Sequence, residues 1–377
     1  MYDCIVLGFG GVGSAALRAA ASRGWNVIGI DQFGPAHNRG SSQGQTRIIR
    51  HAYFEHPNYV PLTHRAFEQW DELNRRHRTS IDIKEIITPC GLLQVGRPES
   101  DVIQGVIASA DQHGLRVERF TPEEIQRRLP MFKIPEDYIG LFEPDAGFLR
   151  VELAVAAALK QASKQGATLK SNTIVHGWSV DANGDVLVET DQGSIQGRRL
   201  IIAAGAWSSP LLPSVDVPFK ILQKQQHWFQ LDRVDQKIEN DFPAFLIEED
   251  NGDCFYGLPE IDYLGMKVCE HSGGKTLESP DQIQSGLNQE ELDRTESFMN
   301  RWLEFGRARL VHHCQCMYTM SPDGHFVVDR YPGFENVVFA AGLSGHGFKF
   351  VPVIGNYLCE LLDGKQDELM SFLKLNR

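Results

Sequence analysis

The chain has 377 residues, 42% hydrophobic and 23% charged, which is enough for two domains with substantial cores. Its formal net charge of −12 argues against nucleic acid or an anionic membrane surface as the main partner, since both select a basic face. No apolar run approaches the roughly 20 residues of a bilayer-spanning helix; the opening MYDCIVLG lacks a secretion signal, and seven scattered cysteines suit a reduced, cytoplasmic protein.

The first elements read as a strand over 4–8 (CIVLG), a small-residue helix over 11–24 and a second strand over 26–31. The run GFGGVG joins the first two. Gly8 suits a tight turn, Gly10 lets a pyrophosphate approach the backbone, and Gly13 lets helix and strand pack closely. Asp31 ends the second strand, where an acid that binds a ribose is expected. A dinucleotide site is therefore predicted, with the identity of the dinucleotide left open. Two later apolar runs, 198–207 and 336–347, read as further strands of the same sheet. The nucleotide-binding domain is then discontinuous, a pattern common in flavoproteins, and is assigned to 1–82, 149–211 and 313–377. Residues 83–148 and 212–312, rich in strands, are assigned to a second domain that covers the substrate.

Between positions 46 and 50 the run TRIIR separates Arg47 from Arg50 by two isoleucines, which favours a buried or cleft position. A guanidinium fork suits a carboxylate because it can donate two parallel charge-assisted hydrogen bonds. Lys267, between Met266 and Val268, reads by itself as an outward-facing strand lysine. The stretch VHHCQCMYTM (311–320), read as a strand, puts Cys314, Cys316 and Tyr318 on one face and His313, Gln315 and Met317 on the other. Zinc would need four converging ligands and no second cluster completes a set, so no metal is expected.

CMYT (316–319), followed by GLSGHGFKF (342–350), resembles the monomeric sarcosine oxidase and N-methyltryptophan oxidase family. So do TRIIRHAY (46–53), YVPL (59–62), FEPDAGFLR (142–150), FPAF (242–245), YGLP (256–259) and GMKVCEH (265–271). The resemblance implies an α/β flavoprotein of two domains, a Rossmann-type FAD-binding domain and a sheet-rich substrate domain. It implies FAD bonded covalently to Cys316 and contacted by Gly8, Gly10, Gly13, Asp31, Thr46, Arg47, Val175, Gly345, His346 and Gly347. Arg50 and Lys349 would hold a substrate carboxylate. Lys267 would activate dioxygen beside the ring, with Arg47 near the flavin and Tyr318, His271 and Tyr256 lining the substrate cavity. The implied reaction is oxidation of a secondary amino acid, N-methyl or cyclic, to an imine by a monomer that reduces O2 to hydrogen peroxide. An amine dehydrogenase passing electrons to a carrier, or a non-catalytic dinucleotide-binding sensor, are the alternatives.

The chain departs from the family pattern around the expected pocket. SSQGQT (41–46) stands where the family commonly reads Ser-His-His-Gly-Asp-Thr, so that Ser42, Gln43 and Gln45 replace two histidines and an acid. Phe54, Glu55 and His56 follow HAY, and Leu258 stands where an aromatic is frequent. The substrate is therefore expected to differ from sarcosine and N-methyltryptophan.

Overall fold

The computed structural model describes residues 1–77, 84–232, 237 and 241–377. The expected domain boundary between 82 and 83 lies outside the described residues.

The opening strand, Cys4–Leu7, is apolar on both faces because it sits inside a parallel sheet, between Val27–Ile30 and Leu200–Ile202. The full order is Val327–Arg330, Val337–Ala341, Leu200–Ile202, Cys4–Leu7, Val27–Ile30, Thr168–Lys170, with only the first of these antiparallel to its neighbour. Both later runs expected to join this sheet do so. Alternation along the strand decides what each side chain meets. Cys4 and Val6 pack under the helices Gly11–Ser22, Val151–Lys164 and Val351–Leu362, whereas Ile5 and Leu7 face the other way, onto Val186 and Val188 of a three-stranded antiparallel sheet. Gly8 turns the chain at φ +81°, and a Cβ on Gly13 would lie 1.8 Å from the Gly8 carbonyl oxygen. That contact forces glycine where helix and strand approach most closely.

A nine-stranded sheet forms the other layer. Its order is Lys275–Leu277, Lys220–Leu231, Met266–Glu270, Cys254–Leu258, Ala244–Glu248, Leu92–Gly96, Ile139–Glu143, Glu118–Phe120, and Ala308–Met320 pairs along the free side of Lys220–Leu231. One face is apolar: Phe229, Phe245, Ile247, Phe255, Met266 and Val268 pack on Phe298, Met299 and Trp302 of the helix Gln289–Trp302. That helix starts cleanly because the Asn288 side chain accepts from the backbone N–H groups of Glu290 and Glu291. The strand Ala308–Met320 runs unbroken through the expected division at 312/313, which therefore falls inside one strand. A third sheet joins Thr46–Ile49 to Gly147–Arg150 and Ile87–Pro89.

Candidate active site

Register fixes which side chains share the second face of the large sheet. Cys316 is opposite Lys224, Cys314 opposite Gln226, and Tyr318 opposite Leu222. Trp228 is opposite Lys267, Lys267 opposite Leu258, and Tyr256 lies between Leu246 and Cys269. With a side-chain period of two, Cys316, Tyr318, Lys267 and Tyr256 all project to one side, toward the parallel sheet and its glycine turn. A burial pattern unusual for a strand results. Lys224, Gln225, Gln226 and His227 are consecutive and all buried, since polar contacts line both faces.

A cavity of about 370 Å³ lies between the layers. It begins at Gly8, Gly10 and Asp31, passes Val175, and ends at Arg47, Cys316, Tyr318, Gly345 and Gly347. A Cβ on Gly10 would meet only Ser42, at 3.6 Å, so the glycine turn is open on the cavity side. Asp31 accepts the Phe9 N–H at 2.9 Å and the Phe33 N–H at 2.8 Å, which holds the turn in shape while its carboxylate borders the cavity. Thr319 also lines it, with a buried hydroxyl that has no hydrogen-bond partner among the described residues. A trough from a helix N-terminus to a cysteine, bordered by the Asp31 carboxylate and the Thr319 hydroxyl, fits a dinucleotide that bears a flavin.

Two cysteines of the strand Ala308–Met320 lie on that face, Cys314 and Cys316, and of the two only Cys316 borders the cavity. Its sulfur lies 3.4 Å from Arg47 Nη2, and the same guanidinium donates to the carbonyls of Thr46 and Ser41. Burial alone would loosen Arg47's proton, but Cys316, Tyr256 and Tyr318 outweigh it and raise its pKa. Cys314 is instead turned to the amide oxygens of Gln43 and Gln226 at 3.4 and 3.5 Å, and burial pushes its thiol up to about 12.

Lys267 is buried, contrary to what its sequence position suggests by itself. Its ammonium donates to the carbonyls of Gly44 (2.8 Å) and Thr46 (3.1 Å) and sits 5.1 Å from the centre of the Trp228 ring. Burial, followed by the neighbouring Arg47 charge, lowers its pKa to about 8. The carboxylate of Glu152 holds the same segment from the opposite side, accepting from the N–H groups of Gly44 (2.7 Å) and Gln45 (3.1 Å). Both residues have positive φ, +89° and +68°. This clamp keeps Thr46 and Arg47 in place, and nothing in the sequence pointed to Glu152. Gln45 adds a further tie, donating to Asp262 at 2.8 Å and accepting from the Trp228 indole at 2.9 Å.

Arg50 and Lys349 come together around an acid the sequence reading had noted only as a departure. Both oxygens of Glu55 accept from Arg50 Nη2, at 2.8 and 2.7 Å, while Arg50 Nη1 donates to the Ala52 carbonyl. The guanidinium is stacked 4.4 Å from the ring centres of both Tyr53 and Phe54. Burial alone would raise the Glu55 pKa, but Arg50, His346 and Lys349 prevail and hold it at about 2. Lys349 donates to the His346 carbonyl (2.9 Å) and to Tyr53 Oη (3.3 Å), and burial plus Arg50 lower its pKa to about 7. His346 Nε2 donates to the Gly324 carbonyl, so Nδ1 accepts from Tyr53 Oη at 2.6 Å; burial lowers this ring to about 4. Near Tyr318, His271 Nδ1 lies 3.2 Å from the phenol oxygen, and burial depresses it to about 3.

Thus Gly8, Gly10, Asp31, Val175, Arg47, Cys316, Tyr318, Gly345 and Gly347 border the cavity, and Gly13 packs behind it. Arg50, His346 and Lys349 form a second cluster, and Lys267, Tyr256 and His271 line the sheet face beside both. Thr46 keeps a buried hydroxyl without a partner among the described residues.

A family model described as FAD dependent oxidoreductase matches residues 3–361. The chain is 38% identical to monomeric sarcosine oxidase of Streptomyces avermitilis over 364 residues, 96% of this chain and 93% of the relative. It is 39% identical to N-methyl-L-tryptophan oxidase of Salmonella dublin over 366 residues, 97% and 95% of the two chains. Among solved structures it resembles NikD, an amino acid oxidase of nikkomycin biosynthesis, with a TM-score of 0.85, 23% identity and coverage of 99% and 97%. L-proline dehydrogenase from P. horikoshii shares the fold with a TM-score of 0.84 and 20% identity, covering 100% and 97%.

Proposed function

This chain is a member of the FAD-dependent oxidoreductase family, and on that premise we propose that it oxidises N-methyl amino acids to imines. It is an FAD-dependent amine oxidoreductase. The observation that carries the reading is a glycine-turn cavity bordered by Arg47, Gly345 and Gly347, with two buried cations, Arg50 and Lys349, paired through Glu55 on the same two segments of chain. FAD, when bound, supplies the acceptor for two electrons from the substrate C–H bond, and dioxygen removes them as hydrogen peroxide.

The remaining chemistry belongs to the protein. Arg50 and Lys349 bind the substrate carboxylate. Because both Glu55 oxygens accept from Arg50 Nη2, an incoming carboxylate takes over that nitrogen from Glu55. His271 and His346 are both neutral at pH 7, so the substrate amine meets no positive charge from them as it loses its proton. The pair of Tyr318 Oη and His271 Nδ1 fixes the orientation of both rings at the end of the cavity. Holding a C–H bond at reacting distance accounts for a large share of the rate, on the order of 7 kcal/mol for a well-oriented pair. Lys267 and Arg47 place cationic charge where negative charge develops as dioxygen is reduced, in surroundings too dry to screen it.

The finer assignments form part of the same proposal. Cys316 is the covalent tether of the FAD, since it alone of the two neighbouring cysteines borders the cavity. The enzyme works as a cytoplasmic monomer, a placement that the seven free cysteines support. The experiment is direct: a panel of N-methyl and cyclic amino acids, with sarcosine and N-methyl-L-tryptophan among them, is mixed anaerobically with the yellow protein, and then air is admitted. Bleaching by at least one member of the panel, followed by one peroxide per turnover, is the expected result. A protein that is colourless, or yellow and unbleached by every secondary amino acid, overturns the reading.

A further inference from the structure

One buried polar side chain on the site face of the large sheet has no part in the reaction as described. Gln94 lies in the middle of the strand Leu92–Gly96 and is completely buried. Neither its amide nitrogen nor its amide oxygen has a hydrogen-bond partner among the described residues. An unpaired buried amide costs stability that leucine at the same place would not. A group kept at such a cost invites a ligand.

The register shows which way it faces. Gln94 stands opposite Leu246 on one side and Leu141 on the other, and Leu246 in turn stands opposite Tyr256. All four therefore project from one face, with Gln94 about 10 Å from the Tyr256 strand position by ordinary strand spacing. Phe54 bridges the two apolar groups that flank the amide, one holding Leu246 and Tyr256, the other Leu141 and Ile103. The same Phe54 ring carries the Arg50 guanidinium. Gln94 thus shares the sheet face that carries Tyr256, and Phe54 links its apolar surroundings to the Arg50 guanidinium that is proposed to hold the substrate carboxylate.

We propose that Gln94 determines specificity by pairing with a carboxamide at the end of the substrate's side chain. This inference rests on the amine-oxidising reading given above. A glutamine amide offers N–H donors and one carbonyl acceptor, and a carboxamide presents the complement, so two hydrogen bonds close at once. A carboxylate would satisfy only the nitrogen and bring an unpaired charge against Leu246, Leu141 and Ile103. A hydrocarbon would satisfy neither atom.

The test compares N-methyl-L-glutamine with N-methyl-L-homoleucine, which has the same shape without polar atoms, as substrates of the wild type, Gln94→Leu and Gln94→Met. The thermal unfolding of each holoprotein is measured in parallel. The wild type is expected to favour the amide in kcat/KM by about tenfold or more, and both variants to reverse that order. Both variants are also expected to unfold at a higher temperature than the wild type, because the unpaired amide is gone. Equal use of the two substrates by the wild type overturns the proposal. So does a lower unfolding temperature in both variants, which would mean that the amide is bonded within the fold. Sarcosine, which has no side chain, is the control. If the wild type oxidises neither sarcosine nor any other N-methyl amino acid, the reaction assigned above is wrong, and the unfolding temperatures alone decide the state of Gln94.

Discussion

Arg50 gives its guanidinium nitrogen Nη2 to both carboxylate oxygens of Glu55, at 2.8 and 2.7 Å, with the same group that is proposed to hold a substrate carboxylate. The pair is largely buried, with side-chain exposures of 4% and 15%, so it is an internal competitor rather than a surface ion pair. Glu55→Gln removes the competing charge and leaves the fork available. Titration of the bound flavin's spectrum with a simple carboxylate that carries no oxidisable amine is expected to show binding tighter by about tenfold, since a charge-assisted contact no longer has to be displaced. The variant should also be less stable, because Arg50 is left without its buried partner. Weaker binding would mean that Glu55 organises the site instead of occupying it.

Lys349 gives the site a pH dependence whose sign follows from its environment. With its pKa lowered to about 7, its ammonium is present below that pH and lost above it. The wild-type advantage over Lys349→Met in kcat/KM is therefore expected to shrink as pH rises through 7. The effect should be seen in kcat/KM, which reports the free enzyme, more than in kcat. Stability moves the opposite way. Between pH 7 and the ordinary lysine value of 10.5, the unfolded chain binds a proton that the folded chain does not, so the cost of burying this residue's charge is relieved and stability rises with pH across that range.

The two neighbouring cysteines should separate under substitution. Acid precipitation of Cys316→Ala is expected to leave its flavin in the supernatant, whereas Cys314→Ala keeps a yellow pellet. Mass spectrometry of the intact denatured chain gives the same answer as an added mass that is present or absent. A flavin already extractable from the wild type would remove the tether.

Lys267 should matter for one half-reaction. Replacing it with methionine is expected to slow reoxidation by dioxygen by about a hundredfold, the scale for losing one preplaced charge, while anaerobic reduction by substrate changes little. In the wild type, reoxidation should also slow above pH 8, as the ammonium loses its proton. Stopped-flow absorbance reads both steps, and equal slowing of the two would dismiss the assignment.

The nucleotide side of the molecule was legible because its signals are local. The turn at Gly8, the glycine at position 13 and the acid at 31 each follow from short-range geometry, and the later apolar runs declare themselves by being buried on both faces. The substrate side was legible only in part. A strand lysine looks outward-facing until the opposing layer is known, and Lys267 is buried because the segment holding Gly44 and Thr46 closes over it. Glu152 carries no local signal at all, since its partners lie 107 and 108 residues away. Glu55 was visible as an unusual residue, but its role depended on a fold in which Arg50 turns back toward it. Gln94, one polar letter in GLLQVG, was a mark the sequence offered and the sequence reading passed over.

The strand Ala308–Met320 is bound along twelve register pairs to Lys220–Leu231, and that strand is hydrogen-bonded in turn to the one bearing Lys267. A cofactor anchored at Cys316 would consequently ride on the same rigid plate as Lys267, Tyr256 and Tyr318. Breathing of the nucleotide layer against that plate would leave the gap between the ring and the Lys267 ammonium unaltered. Variation at the adenine end could then accumulate without detuning the spacing on which reoxidation depends.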